Sequence, residues 1–219
     1  MRTSTFLLTL LSVPLAHTAP TFIAIPEGGL NIRQSSDTRN ELTDGSACKA
    51  VTVIFARGTT ESGNVGTLVG PPFFSALVTS IGAENLAVQG VDYPADVAGF
   101  LAGGDAAGSK KMAELVGQAI TQCPDTKVVM SGYSQGGQLV HNAADQLSGD
   151  NSAKVSAVVI FGDPNDGDAV GSIPAENVKV ICHDGDNICD GGFIVLAPHL
   201  NYSMDAGDAA AFVKERTGL

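Results

Sequence analysis

Five short apolar runs recur along the 219-residue chain, and segments with helical spacing separate them. The runs are rich in β-branched residues and are continuous rather than alternating, as expected for strands buried on both faces. Because strands and helices alternate, we expect a parallel sheet flanked by helices on both faces. The predicted strands are 51–56, 86–91, 127–131, 155–161 and 178–182, and the predicted helices are 72–81, 109–122, 135–147 and 206–216.

The first 18 residues have the composition of a secretory signal peptide. Arg2 supplies a positive charge, residues 6–15 are apolar, and small residues around 16–19 provide a cleavage region. This apolar stretch is too short to span a bilayer, and no later segment approaches about 20 uninterrupted apolar residues. We therefore expect a secreted, extracellular protein that is not embedded in a membrane.

The segment 19–45 differs from the rest of the chain. It is rich in Gly, Asn, Ser and Asp and lacks periodicity, which favours a loosely ordered extension or a pro-segment. Residues 46–219 remain, and they are enough for one α/β domain with a sizeable core.

Composition argues against several classes of partner. The formal net charge is −11 at pH 7, with 12 Lys and Arg residues in all. Such an acidic chain has no basic surface for nucleic acid or anionic lipid. Aromatic residues make up 5% of the chain and Trp is absent, which disfavours a carbohydrate-binding module built on exposed rings.

The four cysteines favour two disulfides over a metal site, because their number is even and a signal peptide precedes them. No Cys-x-x-Cys pair offers zinc spacing. Cys48 lies three residues before the first predicted strand, and Cys123 lies four residues before the third. If those strands are parallel neighbours, both cysteines lie at the same edge of the sheet. The preferred pairs are Cys48–Cys123 and Cys182–Cys189.

A Gly-x-Ser-x-Gly motif centred on Ser134 lies between the third predicted strand and the helix that follows it. This strand–turn–helix context is the one in which a nucleophile elbow forms, and small neighbours let the serine Oγ stand clear. The alternative is a plain glycine-rich turn. Because function gathers at the carboxyl ends of parallel strands, the loop 57–61 is expected to face Ser134.

A nucleophilic serine needs a histidine base, and in the α/β-hydrolase order that histidine follows the serine. His141 lies seven residues into the helix after Ser134 and is expected to point away from its Oγ. His183 adjoins a cysteine at a strand end. His199 lies on a loop after the last strand and is the favoured base, the alternative being an ordinary loop histidine.

The histidine in turn needs a carboxylate to orient it. Asp186 lies inside the loop that a disulfide between Cys182 and Cys189 would close, which would fix the position of its carboxylate. Acidic residues are common in loops for other reasons, so competitors remain open. These are Asp163, Asp184 and Asp190.

Four motifs carry a resemblance to a known family. They are Ala-Arg-Gly-Thr-Thr-Glu at 56–61, the elbow at 132–137, Cys-x-x-Gly-Asp-x-x-Cys at 182–189 and Ala-Pro-His-Leu at 197–200. In order and spacing the chain resembles the fungal cutinases over about 48–218. The resemblance implies a small lidless α/β-hydrolase fold with a five-stranded parallel sheet, and the same two disulfides.

The same resemblance implies site residues. It assigns Ser134 as nucleophile, Asp186 as acid and His199 as base. It also implies an oxyanion hole formed by the backbone N–H groups of Thr59 and Gln135, assisted by the Thr59 hydroxyl. Independently, Gln135 follows the nucleophile, where the elbow places one such donor. Thr59 stands where well-known cutinases have serine, and it retains a hydroxyl.

The expected activity is that of a secreted serine esterase acting on cutin-type polyester and soluble fatty-acyl esters through an acyl-enzyme. We expect a monomer with no cofactor and no metal. The short spacings from Ser134 to Asp186 and from there to His199 leave no room for a cap domain. Apolar residues on nearby loops are expected to form a substrate rim, the alternative being core packing. They are Val97, Phe193, Val195 and Leu200.

Two alternatives stay open. The motifs at 93–95 and 162–164 resemble acetylxylan esterases, which favours an acetylxylan or short-chain esterase. The other is a non-catalytic secreted interaction protein, and the intact order of serine, aspartate and histidine argues against it.

Overall fold

The computed structural model describes Met1 and residues 37–219. The predicted signal peptide, apart from Met1, and the first part of the predicted extension lie outside the described residues. The described chain contains the predicted five-stranded parallel sheet, with the strand order β2-β1-β3-β4-β5. The strands are β1 (Val51–Ala56), β2 (Leu86–Gly90), β3 (Lys127–Tyr133), β4 (Val155–Phe161) and β5 (Val178–Ile181).

Helices cover both faces of this sheet. The long helices match the predicted ones. The two short helices, Val97–Leu101 and Gly149–Ser152, were not predicted because they are too short to show periodicity. Within the described residues, no helix is both long and apolar enough to cross a bilayer. The helices are α1 (Gly70–Ile81), α2 (Val97–Leu101), α3 (Ala106–Gln122), α4 (Gln135–Gln146), α5 (Gly149–Ser152) and α6 (Ala206–Thr217).

Two apolar clusters hold the layers together, one on each face of the sheet. Ile54 and Met130 point to the face covered by α3 and α4, where they join Leu139. Phe55 points to the opposite face and joins Phe73 of α1 in the second cluster. Because successive strand residues alternate between the two faces and both faces are covered, all six residues of β1 are buried.

The order of the strands reverses between β1 and β3. From β1 the chain passes to β2 on one side, and it later returns to β3 on the other. Loops at the carboxyl ends of β1 and β3 therefore diverge and leave a crevice between them, which is the usual place for a site in such sheets. β3 continues two residues farther than predicted and ends at Tyr133, directly before Ser134.

Part of the predicted extension packs against the sheet. Asn40 forms an antiparallel bridge with Gln89 of β2, and Leu42 is buried among the core residues. Residues 37–42 thus contact the domain ahead of the boundary expected at residue 46. The amino-acid composition did not predict this packing, because backbone hydrogen bonds and not a periodic apolar pattern attach most of the segment.

Both predicted disulfides are present. Cys48 pairs with Cys123, which caps the carboxyl end of α3, with 5.5 Å between their Cα atoms. Cys182 pairs with Cys189 and closes the loop that follows β5. The first bond thus lies at the amino ends of β1 and β3, and the second lies near their carboxyl ends beside the crevice.

Candidate active site

Ser134 occupies a strained turn between β3 and α4. Its φ of 56° and ψ of −122° lie outside the regions that residues with a side chain usually adopt. The two glycines of the motif allow close packing around this turn. A Cβ on Gly132 would lie 2.2 Å from the carbonyl oxygen of Gly136, and one on Gly136 would lie 2.0 Å from that of Ala56. The motif therefore forms an elbow that raises the serine above the sheet.

The structure brings together the serine, histidine and aspartate that the sequence analysis selects. His199 Nε2 lies 2.9 Å from Ser134 Oγ, and His199 Nδ1 lies 2.7 Å from Asp186 Oδ2. All three residues are buried, with 6% or less of each exposed. Asp186 comes from the loop after β5, and His199 comes from a 3₁₀ turn at Ala197–Leu200.

Asp186 is held by three donors. Its Oδ2 accepts from His199 and from the Tyr202 hydroxyl at 2.6 Å, and its Oδ1 accepts the N–H of Ile188 at 3.0 Å. Burial alone would raise the pKa of Asp186, but the hydrogen bonds from Tyr202, His199 and Ile188 hold it below its ordinary value. The carboxylate is therefore ionised and keeps a hydrogen on His199 Nδ1, which leaves Nε2 free to accept a proton.

His141 and His183 have a different pattern of partners. His141 faces Asp163 Oδ2 at 2.8 Å through Nε2 and a backbone carbonyl at 3.3 Å through Nδ1. His183 faces Asp205 at 2.7 Å and a backbone carbonyl at 2.9 Å. Both nitrogens of each ring therefore face acceptors.

Of the three histidines within residues 37–219, His199 differs because its Nε2 faces a hydroxyl, which can donate a proton. The pairing of His141 with Asp163 also removes the strongest competitor for the acid position. Asp184 and Asp190 are exposed. The partners of each ring thus support the choice of His199 and Asp186 on grounds that sequence order did not supply.

The loop after β1 carries Thr59 to the side of Ser134. Gln135 Nε2 donates to Thr59 Oγ1 at 2.9 Å and to the carbonyl oxygen of Asp96 at 2.8 Å. Because Thr59 Oγ1 accepts this bond, its own hydrogen is available for another acceptor. Gln135 is the first residue of α4, so its backbone N–H has no partner inside the helix. The Thr59 hydroxyl is therefore a donor in the lining of the cleft, and the Gln135 N–H directly follows Ser134 in the chain.

The loop after β1 is held in a strained backbone conformation. Thr60 has a φ of 65° and donates its N–H to the carbonyl oxygen of Ala95 at 2.7 Å, and Ala95 has a φ of 49°. With Ser134, these are the non-glycine residues of the described chain that have positive φ, and all three belong to this region. Strain gathered at one site is typical of a functional cleft.

Two charged side chains, which the sequence analysis did not single out, brace the same loop. The Glu61 carboxylate accepts the N–H groups of Gly58 at 2.8 Å and Leu68 at 2.9 Å. Buried Arg57 donates to the carbonyl oxygen of Glu61 at 2.6 Å and to that of Tyr93 at 2.9 Å. Their role is evident only once the fold brings residues 93 and 57 together.

An open cleft of about 550 Å³ lies over Ser134 and His199. The four predicted rim residues all line it, and more than half of each is exposed, which rules out core packing for them. Further apolar lining comes from residues that the sequence analysis did not select, namely Leu68, Phe100 and Ile188.

Comparisons with known proteins agree with this geometry. Residues 47–217 match the family model for cutinases. A cutinase of Botryotinia fuckeliana is 59% identical over 173 residues, which cover 79% of this chain and 86% of that protein. The structure of Trichoderma reesei cutinase in complex with a C11Y4 phosphonate inhibitor has a TM-score of 0.79 at 49% identity, covering 84% of this chain and 81% of that one.

An acetylxylan esterase solved at 0.90 Å resolution is more distant, with a TM-score of 0.65 at 27% identity over 78% of this chain and 100% of that one. The family match spans most of the residues that form the sheet, its helices and the cleft. The chain therefore belongs to the cutinase family, and it is a carboxylic ester hydrolase with a serine nucleophile.

Proposed function

We propose that this chain is a secreted cutinase that cleaves the carboxylic esters of cutin-type polyester, and also soluble fatty-acyl esters, through an acyl-enzyme on Ser134. The observation that carries the proposal is the hydrogen-bonded chain from Asp186 through His199 to Ser134, at the base of an open cleft with an apolar rim.

The first half of the reaction forms the acyl-enzyme. Ser134 Oγ attacks the ester carbonyl carbon while its proton passes to His199 Nε2. The resulting oxyanion accepts hydrogen bonds from the N–H groups of Thr59 and Gln135 and from the Thr59 hydroxyl, which Gln135 Nε2 orients. When the tetrahedral intermediate collapses, the alcohol leaves and takes the proton from His199.

The second half releases the acid. A water molecule attacks the acyl carbon and gives a proton to His199 Nε2. The new intermediate collapses to the carboxylic acid, and His199 passes that proton to Ser134 Oγ as it leaves, which restores the free enzyme. Asp186 remains ionised throughout and stabilises the imidazolium that forms twice in each cycle. Its 2.7 Å contact with His199 Nδ1 also keeps the ring in the productive tautomer.

The cleft favours an aliphatic acyl group on an extended substrate. Val97 at the start of α2 lines it, and so do Phe193 and Leu200 from the segment that follows β5. Their exposed side chains offer apolar surface to methylene groups before any substrate binds. An ester at a polymer surface can approach Ser134 because the cleft opens to solvent.

Secretion and a monomeric state complete the proposal. The composition of residues 1–18 supports export, and two disulfides suit an oxidising compartment. One chain supplies every residue of the proposed site, so a monomer suffices for activity.

A release assay tests the proposal. Purified cutin should yield hydroxy-fatty acids with the wild-type protein and none with Ser134→Ala. Acetylated xylan serves as the competing substrate, and p-nitrophenyl esters from acetyl to palmitoyl report the acyl preference. Efficient deacetylation of xylan with no release from cutin would transfer the assignment to an acetylxylan esterase.

A further inference from the structure

His183 lies just beyond β5 and contacts the segment that carries His199. Its Nδ1 atom is 2.9 Å from the carbonyl oxygen of Pro198 and 2.9 Å from Asn201 Oδ1. Its Nε2 atom is 2.7 Å from Asp205 Oδ2. These contacts, here called the His183 clasp, bracket His199 on both sides along the chain.

The partners in the His183 clasp require a hydrogen on both ring nitrogens. The carbonyl of Pro198 and the carboxylate of Asp205 only accept hydrogen bonds, so neither can supply the hydrogen. Burial lowers the pKa of His183, but the acceptors Pro198, Asp205 and Asn201 together raise it above its ordinary value. The imidazolium is therefore the form that fits the clasp.

The titratable groups around the ring come from the same short region. Asp205 contacts Nε2, and Tyr202 stacks on the ring with 4.1 Å between centroids. Asp186 lies beyond Tyr202 and accepts its hydroxyl hydrogen. The ring of His199 lies edge-on to Tyr202, 6.0 Å away. The direct counter-charge of His183 is therefore Asp205, whereas Asp186 serves His199.

The segment that carries His199 is short and irregular. It consists of two 3₁₀ turns, Ala197–Leu200 and Tyr202–Asp205, and turns of this kind are in general less well hydrogen-bonded than an α-helix. By contrast, β5 pairs with β4 along its whole length. The His183 clasp therefore ties these turns to the end of β5, in addition to the hydrogen bond that Tyr133 donates to the carbonyl oxygen of His199.

We propose that His183 is a positioning residue for His199. When both its nitrogens are protonated, it holds the turn Ala197–Leu200 against the end of β5 and keeps His199 Nε2 in line with Ser134 Oγ. When the clasp loses a proton, one nitrogen faces an acceptor without a hydrogen between them, the turn loosens and kcat falls.

This inference rests on the proposed roles of Ser134 and His199, and it adds a second proton requirement. His199 must be neutral to accept a proton, while His183 must be charged to hold it in place. Because the pKa of His183 is raised, the clasp is complete below the ordinary histidine pKa of about 6.5 and is lost as pH rises through the folded-state value.

Two substitutions separate hydrogen bonding from packing. His183→Phe keeps a ring to stack on Tyr202 but removes both donors, and it should lower kcat by about 10-fold or more with KM unchanged. His183→Asn places an amide donor near the position of Nδ1, and this donor does not titrate. It should keep the wild-type kcat at neutral pH and lose the alkaline decline of kcat that the wild type shows with p-nitrophenyl butyrate.

His141→Gln is the matched control, because His141 is the other described histidine whose partners raise its pKa. It should keep the alkaline decline. Wild-type kcat in His183→Phe, a decline that persists in His183→Asn, or a decline that disappears only in His141→Gln would each overturn the proposal. Ser134→Ala should abolish hydrolysis in every background, and residual activity there would contradict the proposed function instead.

A measurement independent of activity addresses the protonation directly. Side-chain ¹⁵N NMR of the wild type at about pH 6 should report hydrogens on both nitrogens of His183. A His183 that titrates at or below about 6.5 would overturn the inference even if every variant behaved as expected.

Discussion

The hydroxyl of Tyr202 donates to Asp186 Oδ2 at 2.6 Å, the same oxygen that accepts from His199 Nδ1 at 2.7 Å. Tyr202 is fully buried, and its oxygen also accepts the backbone N–H of His183 at 3.0 Å. Burial first, and then the neighbouring Asp186, raise the pKa of Tyr202 well above its ordinary value, so it stays a neutral donor. Tyr202 thus fixes the oxygen of Asp186 that orients His199.

Replacing Tyr202 by Phe should lower kcat by about 10-fold and the free energy of unfolding by about 1.5–3 kcal/mol, because a hydrogen bond to a charged group is lost. The pKa of Asp186 should rise, so kcat should show an additional loss in acid where this carboxylate becomes protonated. A pH profile of kcat checks this. Tyr133→Phe is the control, since the Tyr133 hydroxyl donates to the backbone oxygen of His199 and not to a carboxylate. An acid limb that moves equally in both variants would contradict the account.

Substitutions of the proposed triad residues should lower kcat by different factors. Ser134→Ala should reduce kcat by about 10⁶, and Asp186→Asn by about 10⁴ because the His199 ring would favour the wrong tautomer. Asp163→Asn should weaken the fold through its contact with His141 yet leave kcat of the folded protein close to that of the wild type. Steady-state kinetics on protein shown to be folded by circular dichroism decides between them. Near-full activity in Asp186→Asn would make the acid assignment wrong.

The fold was largely predictable because its signals are local. β-branched runs such as 155–161 have no competing interpretation, and β4 has these same limits. The end of β3 was missed, since Gly132 and Tyr133 resemble turn residues until the neighbouring strand pairs with them. The contacts of residues 37–42 with the sheet were not visible in the sequence for a related reason, because they are made largely with the backbone of a distant strand.

The sequence predicted only those site residues whose order along the chain is characteristic of the reaction. Ser134, Asp186 and His199 follow a known order, whereas Tyr202 and His183 act through contacts that only the folded chain creates. A buried tyrosine three residues after the base has no sequence signature of its own. The role of Glu61 in holding its loop could not be predicted either, because a glutamate in a loop is most often solvated.

The two disulfides should have separable effects. Removing Cys48–Cys123, which spans 75 residues, should lower the free energy of unfolding by about 4 kcal/mol, against about 2.5 kcal/mol for Cys182–Cys189, which spans 7. Only the second should reduce kcat, because its loop contains Asp186. Double Cys→Ala variants, followed by denaturant unfolding and kinetics, test this. A larger loss of kcat without Cys48–Cys123 would reverse the assignment.

The pairing of His141 with Asp163 predicts a pH dependence of stability. Burial lowers the pKa of His141, but the hydrogen bond and charge of Asp163 outweigh it, so the pKa is raised. A raised pKa gives stability that is complete below about 6.5 and is lost as pH rises through the folded-state value. Urea unfolding of the wild type should therefore show stability falling in the alkaline range, with a smaller fall in His141→Gln. If the free energy of unfolding falls equally with pH in both proteins, the pair of His141 and Asp163 does not cause the fall.

The apolar rim predicts a preference for acyl chains longer than acetyl. Each buried methylene contributes about 0.8 kcal/mol, which corresponds to about a fourfold gain in kcat/KM until the rim is filled. Leu200→Ala or Phe193→Ala should flatten this dependence and leave acetyl esters nearly unaffected. Met204→Ala is the control, because Met204 is 78% exposed and does not line the cleft. A steep preference for acetyl in the wild type would show that the rim does not bind the acyl chain.

The open cleft also predicts no interfacial activation. Since no covering element must move, the hydrolysis rate should not jump when soluble esters pass into emulsion. A series of p-nitrophenyl esters measured on both sides of the solubility limit tests this point and the acyl preference together.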